Sequence, residues 1–181
     1  MGLAAHDTAE LSFVDVSVPQ QNLLGKEGHG LMHLMERLPK ERLSIAMAAI
    51  SATRAAYEWT RDYAFSRAAF KSRVGDFQHT RFTLAEMLTE ITLTQTYRDQ
   101  AVLAHNAGEL TEIDAAQAKW WATELQKRVV DSCLQLHGGY GYMMEYPIAR
   151  SFVDGRIQTI YGGTTEIMKE IIGRAIANGL A

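Results

Sequence analysis

Three short stretches of the chain carry residue types and spacings that could do chemistry. The first is Leu38-Pro39-Lys40-Glu41-Arg42-Leu43, where a carboxylate stands close to an apolar helical stripe just after a proline. Proline frees local backbone groups. A carboxylate held against apolar surface has its charged form disfavoured, and that raises it toward the range of a working general base. On chemistry alone Glu41, lying between Lys40 and Arg42, reads more simply as a solvated ion-pair residue. The second stretch is Gln135-Leu136-His137-Gly138-Gly139-Tyr140-Gly141, continuing through Met143 and Met144 to Glu145 and Tyr146. Glycines this dense at a helix end let another backbone, or a ligand phosphate, come close. The plainer reading is a glycine-rich helix terminus and turn. The third is Ile160-Tyr161-Gly162-Gly163-Thr164-Thr165-Glu166-Ile167, where glycines lead straight into a helix start. Free N–H groups at such a start favour carbonyl or phosphate oxygens, although an ordinary N-cap would have the same composition.

Other chemistries find no support. The six histidines have no convincing metal-ligand spacing, and His29 and His33 lack the acidic partner of the helical zinc motif, so no metal site is expected. There is no nucleophile elbow, Walker loop or dinucleotide fingerprint. A single cysteine excludes an internal disulfide and a Cys-rich zinc site. The net charge of -3, from 18 basic and 21 acidic residues, argues against a broad nucleic-acid surface. Charged residues interrupt every apolar run well short of a membrane span. The opening MGLAAHDTAE has neither the basic nor the apolar region of a secretory signal, and His6 spoils its weak myristoylation-like start. The expectation is a soluble cytoplasmic protein that engages neither nucleic acid nor membrane.

The elements that must position these stretches are long helices. Proline occurs only at 19, 39 and 147, and glycine is sparse between 40 and 137. The first helical stretch spans about 28–69, with a stripe of Leu31, Leu34, Leu38, Leu43, Met47 and Ile50, and Pro39 as a kink or local distortion. The second spans about 76–106, through Leu84, Leu88, Ile91 and Val102, and stops at Gly108. The third starts at Thr111, which forms an approximate capping box with Asp114, and carries Ile113, Trp120, Val129, Cys133 and Leu136. A short helix follows Pro147, and another begins at Thr164–Thr165 with Ile167, Met168, Ile171, Ile172 and Ile176. These patterns predict an all-α fold, an antiparallel four-helix bundle with additional short helices. Ahead of it lies an extended β segment: Val14, Val16 and Val18 alternate with Asp15 and Ser17 over 10–18, a strand by period with no partner in this chain.

Taken together, these segments resemble the C-terminal part of an acyl-CoA dehydrogenase. RAAF at 67–70, Gln78, QLHGGYGYMMEYP at 135–147 and IYGGTTEIMKEII at 160–172 stand in that family's order and at about its spacing. The resemblance divides the chain into a remnant of the middle β-domain at 1–26 and the helical bundle domain at 27–181. It implies a flavoprotein oxidoreductase of fatty acid metabolism that uses FAD to convert an acyl-CoA thioester into its trans-2-enoyl product. Electron-transfer flavoprotein would be the acceptor, and the assembly a homo-oligomer, a dimer or a dimer of dimers. Many family members carry the catalytic Glu where this chain has Gly162. Long-chain and isovaleryl-type members carry it on the first long helix, in an E-R-L context that Glu41-Arg42-Leu43 matches. The paired loss and gain makes Glu41 the implied α-proton base.

The remaining roles carry over by resemblance. Arg67 and Gln78 match residues that hold the FAD pyrophosphate and adenine end of a neighbouring subunit's cofactor. Gln135, Leu136, His137, Gly138 and Gly139 match the segment that receives the same neighbour's adenosine diphosphate. Thr164 and Glu166 match FAD contacts at the last helix start. The Gly162–Gly163 backbone matches the thioester-carbonyl turn, and Pro39, Lys40, Glu41 and Arg42 match the acyl-CoA-contacting stretch. Lys71 departs from the family, which usually has Gly after this Phe. A second function class stays open: a non-catalytic helical oligomerisation domain, or a truncated paralogue that no longer binds FAD.

Overall fold

The computed structural model describes residues 1–180. Five α-helices carry the fold: α1 Gly30–Ser66, α2 Gln78–Ala107, α3 Glu112–His137, α4 Pro147–Gly155 and α5 Thr165–Ala177. A two-strand hairpin, β1 Ala68–Ala69 and β2 Ser72–Arg73, joins α1 to α2. The bundle is the all-α architecture that the apolar periodicity predicts, and short connections keep sequential long helices antiparallel.

Local signals set the helix ends. Gly108 takes the left-handed conformation, at φ 75°, and its N–H bonds the last carbonyls of α2. Three residues later Thr111 starts α3. Its hydroxyl accepts the N–H of Asp114 at 3.0 Å, while the Asp114 carboxylate accepts the N–H of Thr111 at 3.1 Å. Pro39 ends nothing, because α1 runs through it from Gly30 to Ser66.

The central element is α3, which packs on α1, α2, α4 and α5. Ala46 and Ala49 of α1 meet Ala118 and Ala122 of α3, and these small side chains bring the two backbones close. Beside that seam Ile50, Leu84, Met87, Ile91, Leu125, Val129, Cys133 and Ile148 form the main core. Burying each such large side chain is worth about 1.5–3 kcal/mol.

Three details differ from the sequence expectation. Residues 10–18 form no strand; Val14, Val16 and Val18 stay 77%, 59% and 71% exposed, since no described segment offers them a ladder. The first turns of α1 cover nothing either: Leu31 and Leu34 are 73% and 64% exposed. The hairpin after α1 is the third, because the periodicity carries the helix on to 69. Its residues are weak strand formers, and its two-residue turn, Phe70-Lys71, holds both φ angles positive at 50° and 65° without the glycine that marks such turns. Lys71, the departure from the family pattern, sits at the most left-handed of them.

Candidate functional site

Two groups of functional side chains emerge. The first surrounds the Gly162–Gly163 turn, which precedes α5. Both glycines have positive φ, at 65° and 102°, in the region open to glycine. Arg42, on α1 and 4% exposed, donates from Nε to the Gly162 carbonyl at 3.4 Å and from Nη1 to Glu112 at 3.0 Å. Lys119, on α3 and wholly buried, donates from Nζ to the Gly163 carbonyl at 2.5 Å. Both carbonyls of the turn are therefore taken by cations. Among the described residues, the N–H groups of Gly162 and Gly163 have no acceptor, whereas the flanking Tyr161 N–H bonds to Ile157 O at 3.2 Å. A turn with gripped carbonyls and free amides can receive a carbonyl oxygen and stabilise charge developing on it.

Glu41 precedes Arg42 on α1 and is solvent-exposed. It stands one helical turn before Ile45, so the two share a face. Ile45 closes on Gly162, with its Cδ1 methyl where a side chain at 162 would begin. The helix face bearing Glu41 is thus the face that meets the turn. Pro39 is half-buried and Lys40 exposed in the preceding turn of α1.

The electrostatics of the turn centre on Lys119. Burial, and then the neighbouring Arg42 charge, push its ammonium down to about 8, while Glu124 and Glu166 oppose the fall. Thr164 caps α5 by accepting the Ile167 N–H. Glu166, exposed in the first turn, has its carboxyl held below the usual range by a backbone N–H and the Thr164 hydroxyl. Thr165 donates to Glu124 at 2.8 Å, tying α5 to α3.

The second group lines a cleft of about 400 Å³ between the end of α1 and the end of α3, formed by Tyr63, Arg67, His137, Gly138, Gly139, Tyr140 and Met143. Arg67 lies over the Tyr140 ring, 5.1 Å from its centroid. The His137 side chain turns inward: it is 5% exposed, pairs through Nδ1 with the Cys133 carbonyl at 2.9 Å and stacks on Tyr63 at 4.3 Å. Burial lowers its pKa, against the opposing hydrogen bond to the Cys133 carbonyl. Gly138 and Gly139 have open space where a Cβ would stand. Gly138 needs glycine for its φ of 58°, but no backbone or packing demand within this chain requires Gly139. A guanidinium facing two bare glycine backbones fits a diphosphate, so Arg67, Gly138 and Gly139 could hold that part of FAD.

The structure thus brings Arg67 together with His137, Gly138 and Gly139, and Arg42 together with Gly162, while Glu41 stays exposed on α1 with no hydrogen bond to the turn. Gln135 is exposed on the last turn of α3, and Leu136 packs against the main core. Gln78, exposed at the first position of α2, does not line the cleft, and neither Thr164 nor Glu166 does. Sequence reasoning missed Lys119. Its signal was positional: Ala115, Lys119, Ala122 and Gln126 follow helical spacing, and all four are buried. Among the described residues no cluster of His, Cys, Asp and Glu could hold a metal, and no helix is long and apolar enough to cross a membrane.

This is a helical bundle in which α1 packs against a glycine turn whose carbonyls are held by Arg42 and Lys119, with an open cleft beside Arg67, Gly138 and Gly139. The family model for the C-terminal domain of acyl-CoA dehydrogenases matches residues 28–177, and the chain belongs to that family. It is 49% identical over 178 residues to the mitochondrial long-chain specific acyl-CoA dehydrogenase of Sus scrofa, covering 98% of this chain and 41% of the relative. A crystal structure of acyl-CoA dehydrogenase from Geobacillus kaustophilus superposes with a TM-score of 0.87 at 48% identity, covering 91% of this chain and 43% of that one. A solved structure of the electron transferring flavoprotein of Acidaminococcus fermentans, described as bearing on flavin-based electron bifurcation, gives 0.87 at 34% identity, over 91% of this chain and 43% of that one. The chain spans less than half the length of these relatives.

Proposed function

We propose that the protein to which this chain belongs dehydrogenates an acyl-CoA thioester to its trans-2-enoyl product, with Glu41 as the base. The observation that carries the reading is the closure of α1 on the glycine turn: Ile45 fills the Gly162 side-chain position, and Arg42 donates to the Gly162 carbonyl at 3.4 Å. A carboxylate on that helix face reaches the place that a carboxylate on residue 162 would otherwise serve. The turn's N–H groups receive the thioester carbonyl, which acidifies the α-carbon. The Glu41 carboxylate accepts the α-proton as the α C–H bond breaks. FAD, when bound, supplies the acceptor for the β-hydrogen as hydride. Arg67, Gly138 and Gly139 would hold the cofactor's diphosphate, in line with the open cleft they share. The acyl-CoA substrate, a homo-oligomeric assembly and electron-transfer flavoprotein as acceptor belong to the same proposal. The likeness to a relative named as a long-chain specific acyl-CoA dehydrogenase supports the acyl-CoA substrate class.

The test is Glu41→Gln in a protein that carries this chain with its flavin-holding domain and FAD. Flavin reduction by acyl-CoA should slow at least about 100-fold, the usual general-base contribution. Reduction at the parent rate would return Glu41 to the status of a solvated surface residue. The non-catalytic oligomerisation reading draws on the exposed apolar side chains Leu93, Leu103 and Phe82 of α2. A protein that takes up no FAD, measured by flavin absorption, would favour it.

A further inference from the structure

A lysine ammonium with no exposed surface is costly: taking a cation out of water is repaid only by close partners. Lys119 sits where α1, α3 and α5 meet, and an alanine there would complete the small-residue seam of Ala115, Ala118 and Ala122. The charged groups around it are Arg42 from α1, Glu124 from its own helix and Glu166 from α5. Among the described residues neither carboxylate forms a direct ion pair with it: Glu124 pairs with Lys127 at 2.6 Å, and Arg42, a like charge, pairs with Glu112 at 3.0 Å. Its hydrogen bond goes to the Gly163 carbonyl, one peptide beyond the carbonyl that Arg42 takes.

We infer that Lys119 is a positioning residue: with Arg42 it clamps two consecutive carbonyls, and so fixes the Gly162–Gly163 and Gly163–Thr164 peptides of the turn that receives the substrate carbonyl. A peptide plane has its C=O and N–H pointing in opposed directions. Gripping the Gly162 and Gly163 carbonyls from the bundle side therefore aims the N–H groups of the following residues, Gly163 and Thr164, away from it. Glycines with positive φ would otherwise let these two peptides rotate. Lys119 and Arg42 supply from α3 and α1 the rigidity that the turn's own sequence lacks. This use of the clamp rests on the dehydrogenase reading, whereas the clamp's existence does not.

The experiment has two arms. In the first, carbonyl ¹³C shifts of Gly162 and Gly163 are followed by NMR on the chain itself as pH is raised. The Gly163 carbonyl should titrate near pH 8 as the amine loses its charge, and Lys119→Met should abolish that step. No titration at Gly163 in the parent would overturn the clamp, whether or not any variant folds. In the second arm, the FAD-loaded protein is mixed with acyl-CoA. Lys119→Met should slow flavin reduction about tenfold or more, with acyl-CoA affinity within about threefold of the parent, because mis-aimed donors weaken transition-state stabilisation more than binding. Lys119→Arg should restore part of the rate and hold it to higher pH. Reduction at the parent rate in Lys119→Met would overturn the positioning role. A parent protein inert toward acyl-CoA would sink the dehydrogenase reading and, with it, this use of the clamp, while the first arm still decides whether the clamp exists.

Discussion

Ile45 rests its Cδ1 methyl on Gly162, in the space where a side chain at that position would start. Gly162 also has φ 65°, so a larger residue there would be strained, and the Ile45 methyl would have to move aside. Under the proposed reading, the carboxylate at this junction is carried by α1 and not by residue 162.

Moving the carboxylate should consequently need three changes. Glu41→Gly with Gly162→Glu places it on the turn but drives it into Ile45, and overpacking of this kind costs about 1–3 kcal/mol. Adding Ile45→Ala should open the space. Flavin reduction by acyl-CoA, in a protein that also carries the flavin-holding domain, should be nearly absent in the double variant and partly recovered in the triple one. Equal rates in both would mean that Ile45 does not guard the position.

The glycines of the cleft separate structure from binding. Gly139→Ala meets nothing within this chain and changes no positive φ, so its melting temperature should stay within about 2 °C of the parent, as for a neutral surface change. FAD affinity of the assembled protein should nevertheless fall, because a methyl group would stand between the backbone and the diphosphate. Gly138→Ala, at φ 58° and ψ −139°, a region essentially open only to glycine, should cost about 1–3 kcal/mol of fold stability by itself. Calorimetry and flavin titration on the two variants decide it; unchanged flavin affinity in Gly139→Ala would remove that residue from the site.

Much of this was legible in the residues, for identifiable reasons. Helix α3 announced itself through the Thr111–Asp114 capping box, and α2 ended where Gly108 predicts, since both signals act within a few residues. Glu41, Gly162 and Gly163 could be singled out by motif, but the packing of Arg42 and Ile45 on the turn depends on how α1 lies across it, which no local pattern encodes. Lys119 shows the opposite limit: a charged residue reads as solvated unless its stripe is followed to Ala115 and Ala122. The strand expected over 10–18 failed for want of a partner, because alternation predicts a half-buried strand only where a ladder and a covering layer exist.

Association is a further expected outcome. Phe70 at the hairpin tip is 92% exposed, and Phe82, Leu93 and Leu103 expose 58%, 67% and 60% along α2. Apolar surface so distributed favours covering by another copy of the chain. Sedimentation at micromolar concentration should report a dimer or larger species, and Leu93→Lys with Leu103→Lys should shift it toward monomer without lowering helix content. A monomeric parent at high micromolar concentration would count against it.

The pH dependence of stability gives the last test, and it turns on opposed groups. Lys119 titrates near 8 when folded, and its unfolded amine keeps its proton to the usual 10.5. Between these values the unfolded chain binds more protons, so this group makes stability rise with pH across that window; below about 8 the folded chain bears the full cost of the buried cation. Cys133 works against it. Its thiol is pushed by burial from 9.0 up to about 11, so the unfolded chain loses that proton first and stability falls over nearly the same range. The parent curve alone mixes the two. The difference between the parent and Lys119→Met cancels the thiol and leaves the lysine. Urea unfolding from pH 7 to pH 10.5 should therefore show the variant's relative advantage greatest below about pH 8 and shrinking steadily above it. A difference that stays flat across the range would mean that Lys119 carries no buried charge for the turn to use.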